Sequence, residues 1–336
     1  MSFNLINILK ASYPDSKIDI LVNSDTLQTA KLNHEINSFI SFSYDEKKKI
    51  GLRYIVGFLK KYKKKYDLAI NLTASDRSVF FASLFGKQSI SFVERSILKS
   101  WWKRTILTKY YIEDLNSHVM KDIIRPLEFL KIYKKDINFS PSPSLNSIKK
   151  VDKLIKERNI NKFFIFHPCA QYSYKVCPEV FRNDLIRNLL DIGIDIVVTG
   201  GNSKIDQVIS ASIEKLPRVH NLIGKISIDD FLYLSLLSEA YIGMDTLNMH
   251  IAASQNKKIF AIFGPSIPGR WGPFLRSKKN IKNYSSSLEP EIFQSNMSCV
   301  PCGKAGCGDK HIKSDCLHNI PLTVVLDKVK NWYLNT

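Results

Sequence analysis

Short apolar runs alternate with segments of helical periodicity along the second half of this chain. Residues 162–167 and 258–263 are dominated by Phe, Ile and Ala, and each run ends beside Pro or Gly, as buried strands do. Between and after such runs, residues 181–190 and 231–238 place apolar side chains at the three- and four-residue spacing of a helix. Strands that alternate with helices usually pair in parallel, so the pattern predicts an α/β fold with a doubly wound sheet.

The first half of the chain repeats this alternation without any obvious sequence repeat. Residues 17–22 and 66–72 read as strands. Between them lies a predicted helix whose apolar face contains Leu52, Ile55, Val56 and Leu59. The two halves therefore look like one architecture built twice.

A stretch of Ser and Pro at residues 139–144 separates the halves. Two prolines among serines disfavour helix and favour an extended linker. The sequence thus predicts one domain over residues 1–145, a second over 146–320 that includes a Cys-rich loop at 299–316, and a C-terminal helix at 321–336.

Composition and charge narrow the possible partners. The 336 residues are 44% apolar, which is typical of a globular protein with two cores. We see no apolar run long enough for a spanning helix and no charged leader, so we expect a cytoplasmic protein.

The net charge is +18, and basic residues far outnumber acidic ones between positions 51 and 109. This surplus predicts an anionic partner, namely a membrane surface, a phosphorylated glycolipid or nucleic acid; the alternative is a proteome whose surfaces are generally rich in lysine.

Candidate chemistry follows the predicted strands of the second half. One loop carries Lys175, a second begins with Gly200-Gly201, and a third contains Asp245-Thr246. Loops that lead into helix N-termini at this edge of a sheet bind phosphate, and a lysine adds a point charge. Each loop has an ordinary alternative: a Gly-Gly pair is usually a tight turn, and Asp-Thr commonly caps a helix.

The order and spacing of these segments carry a family resemblance. The series contains His167-Pro168, Val198-Thr-Gly-Gly201, Asn221 to Ser227, Gly243 to Ala253, and Phe263-Gly-Pro-Ser266 followed by Arg270 to Pro273. It resembles glycosyltransferase family 9, the ADP-heptose:lipopolysaccharide heptosyltransferases. The resemblance extends more weakly through the first half, from Tyr66-Asp67 past Arg77 to Gly86.

The resemblance implies a GT-B type fold, with two Rossmann-like domains facing a central cleft and an N-terminal sheet that lacks its first strand. It implies inverting transfer of a heptose from ADP-heptose to the inner core of lipopolysaccharide in Gram-negative bacteria, with no metal or other cofactor for the transfer. The donor would bind in the C-terminal domain and the acceptor in the N-terminal one. The implied donor-binding residues are Lys175, Asn221, Asp245, Thr246 and His250. On its own, His250 is equally compatible with a core histidine.

Two features depart from the family pattern. The family usually has Gly after Asp-Thr, where this chain has Leu247, and a side chain there would narrow the pocket or alter donor choice. The family also opens with a strand and a Gly-Asp loop whose aspartate is the proposed base, whereas Met1 here falls just after that loop. Loss of a base typically costs a factor of about 10² to 10⁴ in rate. Either the true start lies upstream or the chain is inactive, and the catalytic residue is unknown.

Four cysteines, Cys299, Cys302, Cys307 and Cys316, lie in a Gly-rich segment near the C-terminus. Four thiolates in a loop of this kind suit structural zinc or iron, and His311 and His318 are possible substitute ligands. The alternatives are reduced thiols that pack the loop, or a disulfide. Cys169 and Cys177 are expected to be plain pocket or core residues.

Basic and aromatic side chains are interleaved around residue 100. We predict that a basic acceptor-side surface is formed by Arg77, Lys99, Lys103 and Arg104. With Trp101 and Trp102, it suits peripheral contact with an anionic glycolipid on the cytoplasmic face of the inner membrane. The alternative is a helix whose tryptophans face the core. No recognised nucleic-acid module accompanies these residues, so no nucleic-acid partner is expected.

Two further functions remain open at this point. A protein O-heptosyltransferase would use the same donor, since the Cys-rich tail is similar to that of relatives that modify adhesins. A catalytically inactive homologue would act as a binding protein.

Overall fold

The computed structural model describes residues 1–42, 52–133, 140–275 and 286–335. The chain divides into two compact units, Met1–Phe139 and Ser140–Thr336. The predicted linker, residues 139–144, spans this division: Phe139 lies outside the described residues, and residues 140–144 have no regular secondary structure. The predicted domain ranges stay a prediction.

The first unit contains parallel strands in two sheets. One sheet pairs β1 with β2, and the other has the order β3–β4–β5. The strands predicted at residues 17–22 and 66–72 are confirmed as β1 and β3. The bounds of the strands are Asp19–Val22 (β1), Ser38–Ser41 (β2), Tyr66–Asn71 (β3), Gly86–Val93 (β4) and Lys109–Ile112 (β5).

Helices cover these strands and supply much of an aromatic core. Phe58 and Tyr62 of the third helix pack with Phe42, Phe81 and Phe85. The helix expected around residues 52–59 is confirmed. Of its predicted apolar face, Leu59 packs against this core, whereas Val56 is exposed. The helices are Ser2–Ser12 (α1), Leu27–Ala30 (α2), Leu52–Tyr62 (α3), Asp76–Phe85 (α4), Ile97–Ile106 (α5), Val119–Ile124 (α6) and Pro126–Phe129 (α7).

The second unit is built on a six-stranded parallel sheet. Its spatial order is β11–β10–β9–β6–β7–β8. The strands predicted at residues 162–167 and 258–263 are confirmed within a residue or two. The bounds are Phe163–His167 (β6), Asp195–Val198 (β7), Val219–Asn221 (β8), Ala240–Met244 (β9), Lys258–Phe263 (β10) and Glu291–Gln294 (β11).

Alternate residues of the central strands enter two separate cores, one on each face of the sheet. Phe164 and Ile242 belong to one core, whereas Phe163 and Tyr241 belong to the other. Because both faces are covered, these strands are apolar almost throughout. The covering helices are Leu145–Glu157 (α8), Glu179–Leu190 (α9), Lys204–Ser212 (α10), Ile228–Leu237 (α11), Leu247–Ser254 (α12), Pro268–Trp271 (α13), Asp315–His318 (α14) and Leu322–Leu334 (α15).

Candidate functional site

The strand order of the second unit fixes where a ligand would bind. From β6 the chain continues outward to β7 and β8, then returns to form β9 on the other side of β6. In open parallel sheets, ligands bind beyond the carboxyl ends of the strands at such a reversal. The two loops that flank it are residues 168–175 after β6 and residues 245–246 after β9.

Gly243 allows β9 and β6 to lie close together at this edge. A Cβ atom at this position would lie 2.6 Å from the carbonyl oxygen of His167 and 3.0 Å from its Cβ. A larger residue would therefore separate the ends of the strands. The glycine that precedes Met244 and Asp245 is thus required for the two loops to meet.

The structure brings Lys175 and Asp245 together across the reversal. The Nζ atom of Lys175 lies 3.0 Å from Oδ2 of Asp245. The short 3₁₀ turn Ser173–Lys175 carries the lysine to this place. The lysine side chain is 28% exposed and the aspartate 11%. A cation that is partly exposed at this edge can bind the oxygens of an incoming phosphate.

Thr246 lies at the N-terminal end of α12 but does not cap it with its side chain. It is the N-cap residue, yet its side chain forms no capping hydrogen bond. Its Oγ1 instead lies 3.4 Å from the hydroxyl of Tyr241. The alternative interpretation of Asp245-Thr246 as a helix cap is therefore not what the structure shows. The first amides of α12 and the positive end of the helix dipole lie beside the Lys175–Asp245 pair.

His250 lies one turn further along α12. Its backbone amide donates a hydrogen bond to the carbonyl oxygen of Thr246 at 3.4 Å, so the two residues share one face of the helix. The residue is partly buried. Of the predicted donor-binding residues, Lys175, Asp245 and Thr246 come together, with His250 one turn away.

Asn221 is placed differently. Its side-chain amide donates to the carbonyl oxygen and to the hydroxyl of Ser210 at 2.9 and 3.0 Å. Its Oδ1 accepts a hydrogen bond from the amide of Ile223 at 3.1 Å. These bonds fix the end of β8 to α10, so the structure gives Asn221 a role within the fold and does not bring it to Lys175 and Asp245.

A cavity lies at the same edge of the sheet. His167 forms part of its wall, and its Nδ1 lies 2.9 Å from the hydroxyl of Thr199. Burial lowers the pKa of His167 to about 4, so the ring is neutral at physiological pH. The lining residues are His167, Thr199, Gly200, Gly201, Ile226, Ser227, Ile228, Phe231 and Asn248.

Several of these residues were not singled out in the sequence. Asn248 lies two residues after the Asp-Thr pair, beyond Leu247, and carries no signal of its own. Ser227 and Asp230 form a capping box at the start of α11, and a Ser followed three residues later by Asp is a helix-start pattern. That pattern marks the end of a loop beside the cavity, although it does not identify a ligand.

Comparisons with known proteins show the family to which the chain belongs. The sequence profile of Glycosyltransferase family 9 (heptosyltransferase) matches residues 56–299. The chain belongs to this family.

Known relatives and solved structures match this chain over most of its length. Lipopolysaccharide heptosyltransferase 3 of Escherichia coli is 24% identical over 282 residues, covering 80% of this chain and 81% of the relative. Among solved structures, a glycosyltransferase family 9 protein of Veillonella parvula superposes with a TM-score of 0.76 at 18% identity, covering 100% of this chain and 93% of that one. The ADP-heptose lipopolysaccharide heptosyltransferase II of E. coli gives 0.68 at 18% identity, covering 99% and 94%. The chain therefore has the GT-B type α/β fold of heptosyltransferases and is a glycosyltransferase.

The prediction that Lys103 belongs to the basic surface is wrong. The side chain of Lys103 is fully buried, and its Nζ lies 2.7 Å from Asp76 and from Glu94. It also donates to the carbonyl oxygen of Ala74. Burial alone would lower the pKa of Lys103, but the hydrogen bonds that its ammonium donates to Asp76 and Glu94 raise the pKa above its usual value. Lys103 therefore ties α5 to α4 and to the end of β4 within the first unit.

The other predicted basic residues differ in exposure. Lys99 is exposed on α5. Arg104 is partly buried and donates to Ser100, Glu94 and Arg95. The guanidinium of Arg77 on α4 lies over the ring of Phe42, 5.5 Å from its centroid. The predicted surface thus consists of one exposed lysine and two arginines held by neighbouring groups.

The two tryptophans of α5 face opposite ways. Trp102 packs against the core formed by Val79, Val93 and Leu107, as the alternative interpretation expects. Trp101 is 61% exposed. In the parts of the chain that the structure describes, no helix is long and apolar enough to cross a bilayer.

The cysteines fall into two groups. Cys169 and Cys177 are buried in the core of the second unit, as expected. Cys299, Cys302 and Cys307 are exposed, Cys316 is buried, and all four are free thiols. Burial, and then the neighbouring thiols Cys307, Cys302 and Cys299, raises the pKa of Cys316 to about 11. Within the described ranges, no group of three or more His, Cys, Asp or Glu residues is arranged to hold a metal ion.

Proposed function

We propose that this chain transfers a heptose from ADP-heptose to the inner core of a lipopolysaccharide. The observation that carries the proposal is the Lys175–Asp245 pair, which lies at the reversal of the sheet beside the start of α12. A nucleoside diphosphate sugar needs a cation and free amides for its phosphates, and this edge supplies both. The names of the relatives support heptose as the sugar and lipopolysaccharide as the acceptor.

In the proposed reaction, an acceptor hydroxyl attacks the anomeric carbon of the heptose. A new glycosidic bond forms, the bond from that carbon to the β-phosphate oxygen breaks, ADP departs with the electron pair, and the proton of the attacking hydroxyl is released to solvent. Negative charge grows on the diphosphate as the bond breaks. The ammonium of Lys175 and the amides of α12 lie where they stabilise that charge, and a fixed donor of this kind acts without reorganising.

The cavity beside His167 is the proposed place for the nucleoside. Its wall combines apolar side chains such as Ile226 and Phe231 with the backbone of Gly200 and Gly201. Such walls suit a flat base and a ribose. Asn248 lines the cavity and lies on α12, so the cavity adjoins the helix that begins beside Lys175 and Asp245.

Titration calorimetry with ADP tests the donor site directly. We expect the protein to bind ADP and the Lys175→Met variant to bind it at least about tenfold more weakly, because a phosphate contact to a cation is lost. Replacement of the exposed Lys215 by Met, a matched control on the same unit, should leave the affinity unchanged. Absence of ADP binding by the folded protein, or equal affinity for the wild type and Lys175→Met, would refute the proposed site.

Acceptor assays separate lipopolysaccharide from protein acceptors. ADP-heptose is supplied with lipopolysaccharide that lacks the relevant heptose, with its delipidated core oligosaccharide, or with an adhesin fragment. Transfer to the two glycans supports the proposal, whereas transfer to the fragment alone would indicate a protein O-heptosyltransferase. Tight ADP-heptose binding with turnover on none of them would indicate a binding protein.

We also propose that α5 contacts an anionic membrane surface on the side where the acceptor lipid lies. Leu98 is 89% exposed, and Ile97 and Trp101 are also exposed. Arg95 and Lys99 are exposed among them. Aromatic and aliphatic side chains beside cations suit the headgroup region of an anionic bilayer.

Vesicle co-sedimentation tests this surface. We expect binding to vesicles that contain phosphatidylglycerol, and a loss of binding in Leu98→Ser/Trp101→Ser. Val180→Ser removes an exposed apolar side chain of the second unit, 74% exposed against 89% for Leu98 and 61% for Trp101, and serves as the control. Equal sedimentation of the two variants would contradict the proposal.

We propose as well that a structural zinc or iron ion, when bound, draws together the four C-terminal cysteines, which among the described residues are not arranged as a metal site. The amide of Asp315 donates a hydrogen bond to Sγ of Cys307 at 3.3 Å, as amides do around metal thiolates. The positive φ angles of Gly303, Gly306 and Gly308 allow the tight bends of a loop that wraps an ion. Elemental analysis should find about one metal ion per chain, lost in Cys302→Ser. Metal-free protein from medium supplemented with zinc and iron would refute it.

A further inference from the structure

The cysteine-bearing segment, residues 299–316 and here named the cysteine loop, packs directly on the turn after β10 and on the turn that ends at Lys175. On one side, the amide of Gly303 donates to the carbonyl oxygen of Pro265 at 2.8 Å. On the other, the hydroxyl of Ser173 donates to the carbonyl oxygen of His311 at 2.9 Å. Pro265 follows β10, and Ser173 belongs to the turn that ends at Lys175.

Tyr174 is the main side chain in this contact. Its ring meets the ring of His311 edge to face, with centroids 5.9 Å apart. Its Cβ lies close to Gly306, where an added Cβ would be 3.1 Å away. Although Tyr174 lies in a surface turn, it is buried. The residue just before Lys175 is thus enclosed by the cysteine loop.

The cysteine loop is itself held in a particular backbone shape. Gly306 has φ +88°, and an added Cβ there would also lie 2.9 Å from the carbonyl oxygen of Lys313. His311 has φ +58°, an uncommon conformation for a residue with a side chain. Its amide donates to the carbonyl oxygen of Ala305 at 2.7 Å, and that of Cys307 to Lys313 at 2.8 Å. These bonds fix the carbonyl group of His311 that accepts from Ser173.

From these contacts we infer that the cysteine loop positions Lys175 for the donor diphosphate, with Ser173, Tyr174 and His311 as positioning residues. This inference rests on the proposed function, because it takes the diphosphate as the ligand of Lys175. The side chain of Lys175 is a flexible four-carbon chain and is partly exposed. Its ammonium is therefore held in one position only if the backbone of Lys175 is itself held in place. The turn at Ser173–Lys175 is too short to be rigid alone, and the cysteine loop supplies the missing support.

The test is a double-mutant cycle on ADP affinity. Ser173→Ala removes the hydrogen bond to His311, and Ser173→Thr keeps a hydroxyl at that place. We expect Ser173→Ala to weaken ADP binding about fivefold, the usual worth of one hydrogen bond, and Ser173→Thr to restore most of the affinity. In a Lys175→Met background, Ser173→Ala should have no further effect, because the group that it positions is gone.

Two variants and one measurement complete the design. His311→Ala, which removes the ring against Tyr174, should act like Ser173→Ala, whereas Lys310→Ala on the exposed part of the cysteine loop should leave ADP affinity unchanged. Melting temperatures of all variants identify any loss of folding. A fall in melting temperature with unchanged ADP affinity, or additive effects of Ser173→Ala and Lys175→Met, would overturn the inference. If Lys175→Met itself leaves ADP affinity unchanged, the proposed donor site fails instead.

Discussion

Replacement of Lys175 by Met is the sharpest perturbation of the donor site. Methionine keeps most of the apolar length of the side chain and removes the charge. The substitution also leaves Asp245, whose side chain is only 11% exposed, without the cation 3.0 Å away. An uncompensated carboxylate would then repel the diphosphate, so the variant loses an attraction and gains a repulsion.

The expected magnitude follows from the position of the pair. Two unit charges about 4 Å apart interact with about 4 kcal/mol at an effective dielectric constant of about 20. Loss of one fixed donor to a developing negative charge costs a factor of about 10² to 10³ in kcat. Because the side chain of Lys175 is 28% exposed, water screens part of this effect. We therefore expect a fall near the lower end, about 10² in kcat.

A second substitution separates chemistry from folding. Lys175→Met alone should lower the melting temperature, since it leaves Asp245 unpaired in a partly buried place. Addition of Asp245→Asn removes that charge and should restore the melting temperature but not kcat. The assay is ADP release during heptose transfer, with ADP-heptose varied at a saturating concentration of acceptor. Recovery of kcat in the double variant would show that the pair serves stability alone, and the reasoning would be refuted.

Further substitutions test other parts of the structure. Lys103→Met should reduce the free energy of unfolding by about 1 to 3 kcal/mol in denaturant titrations, because it leaves Asp76 and Glu94 without their shared cation; a neutral result would mean that the ion pair is dispensable. The lowered pKa of His167 means that the folded state resists protonation. Stability should therefore be fully present above pH 6.5 and fall as the pH drops toward 4, by about 2 kcal/mol at pH 5, and His167→Gln should remove this part of the slope in thermal melts. Leu247→Gly should lower the KM for ADP-heptose if the exposed leucine narrows the pocket, at a cost of about 1 kcal/mol in helix stability; an unchanged KM would assign Leu247 no role in donor choice.

The sheet of the second unit was predictable from the sequence for a physical reason. Strands covered on both faces must be apolar throughout, and runs such as 162–167 and 258–263 show this directly. The edge strands β8 and β11 were not predicted. They are three and four residues long and only partly buried. Few of their residues therefore need to be apolar, and no apolar run marks them in the sequence.

The buried face of α3 was predicted only in part, because the pattern of aliphatic residues left out its aromatic side chains. Leu52, Ile55, Val56 and Leu59 have regular helical spacing, but the core already holds Phe81 and Phe85. Phe58 and Tyr62 are buried against those rings with Leu59 packed beside them, whereas Val56 is exposed. A pattern of apolar positions cannot show which rings come from elsewhere in the chain.

Lys103 illustrates the same limit for charge. In the sequence it belongs to a basic stripe beside two tryptophans. In the structure its ammonium is fully enclosed between Asp76 and Glu94. Whether a lysine faces solvent depends on carboxylates that the fold brings to it, and those lie in other elements. Lys99, four residues earlier on the same helix, has no such enclosure and is exposed.

The three helices that follow β7, β8 and β9 differ at their N-termini in a way that supports the proposed phosphate site. At α10, the side chains of Ser203 and Asp206 form a capping box, and at α11 those of Ser227 and Asp230 do the same. These side chains satisfy amides that would otherwise need a partner. At α12, Thr246 turns toward Tyr241 and leaves the first amides without a bond from its side chain. An anion therefore gains more at α12 than at either neighbour, and α12 is also the helix that begins beside the Lys175–Asp245 pair.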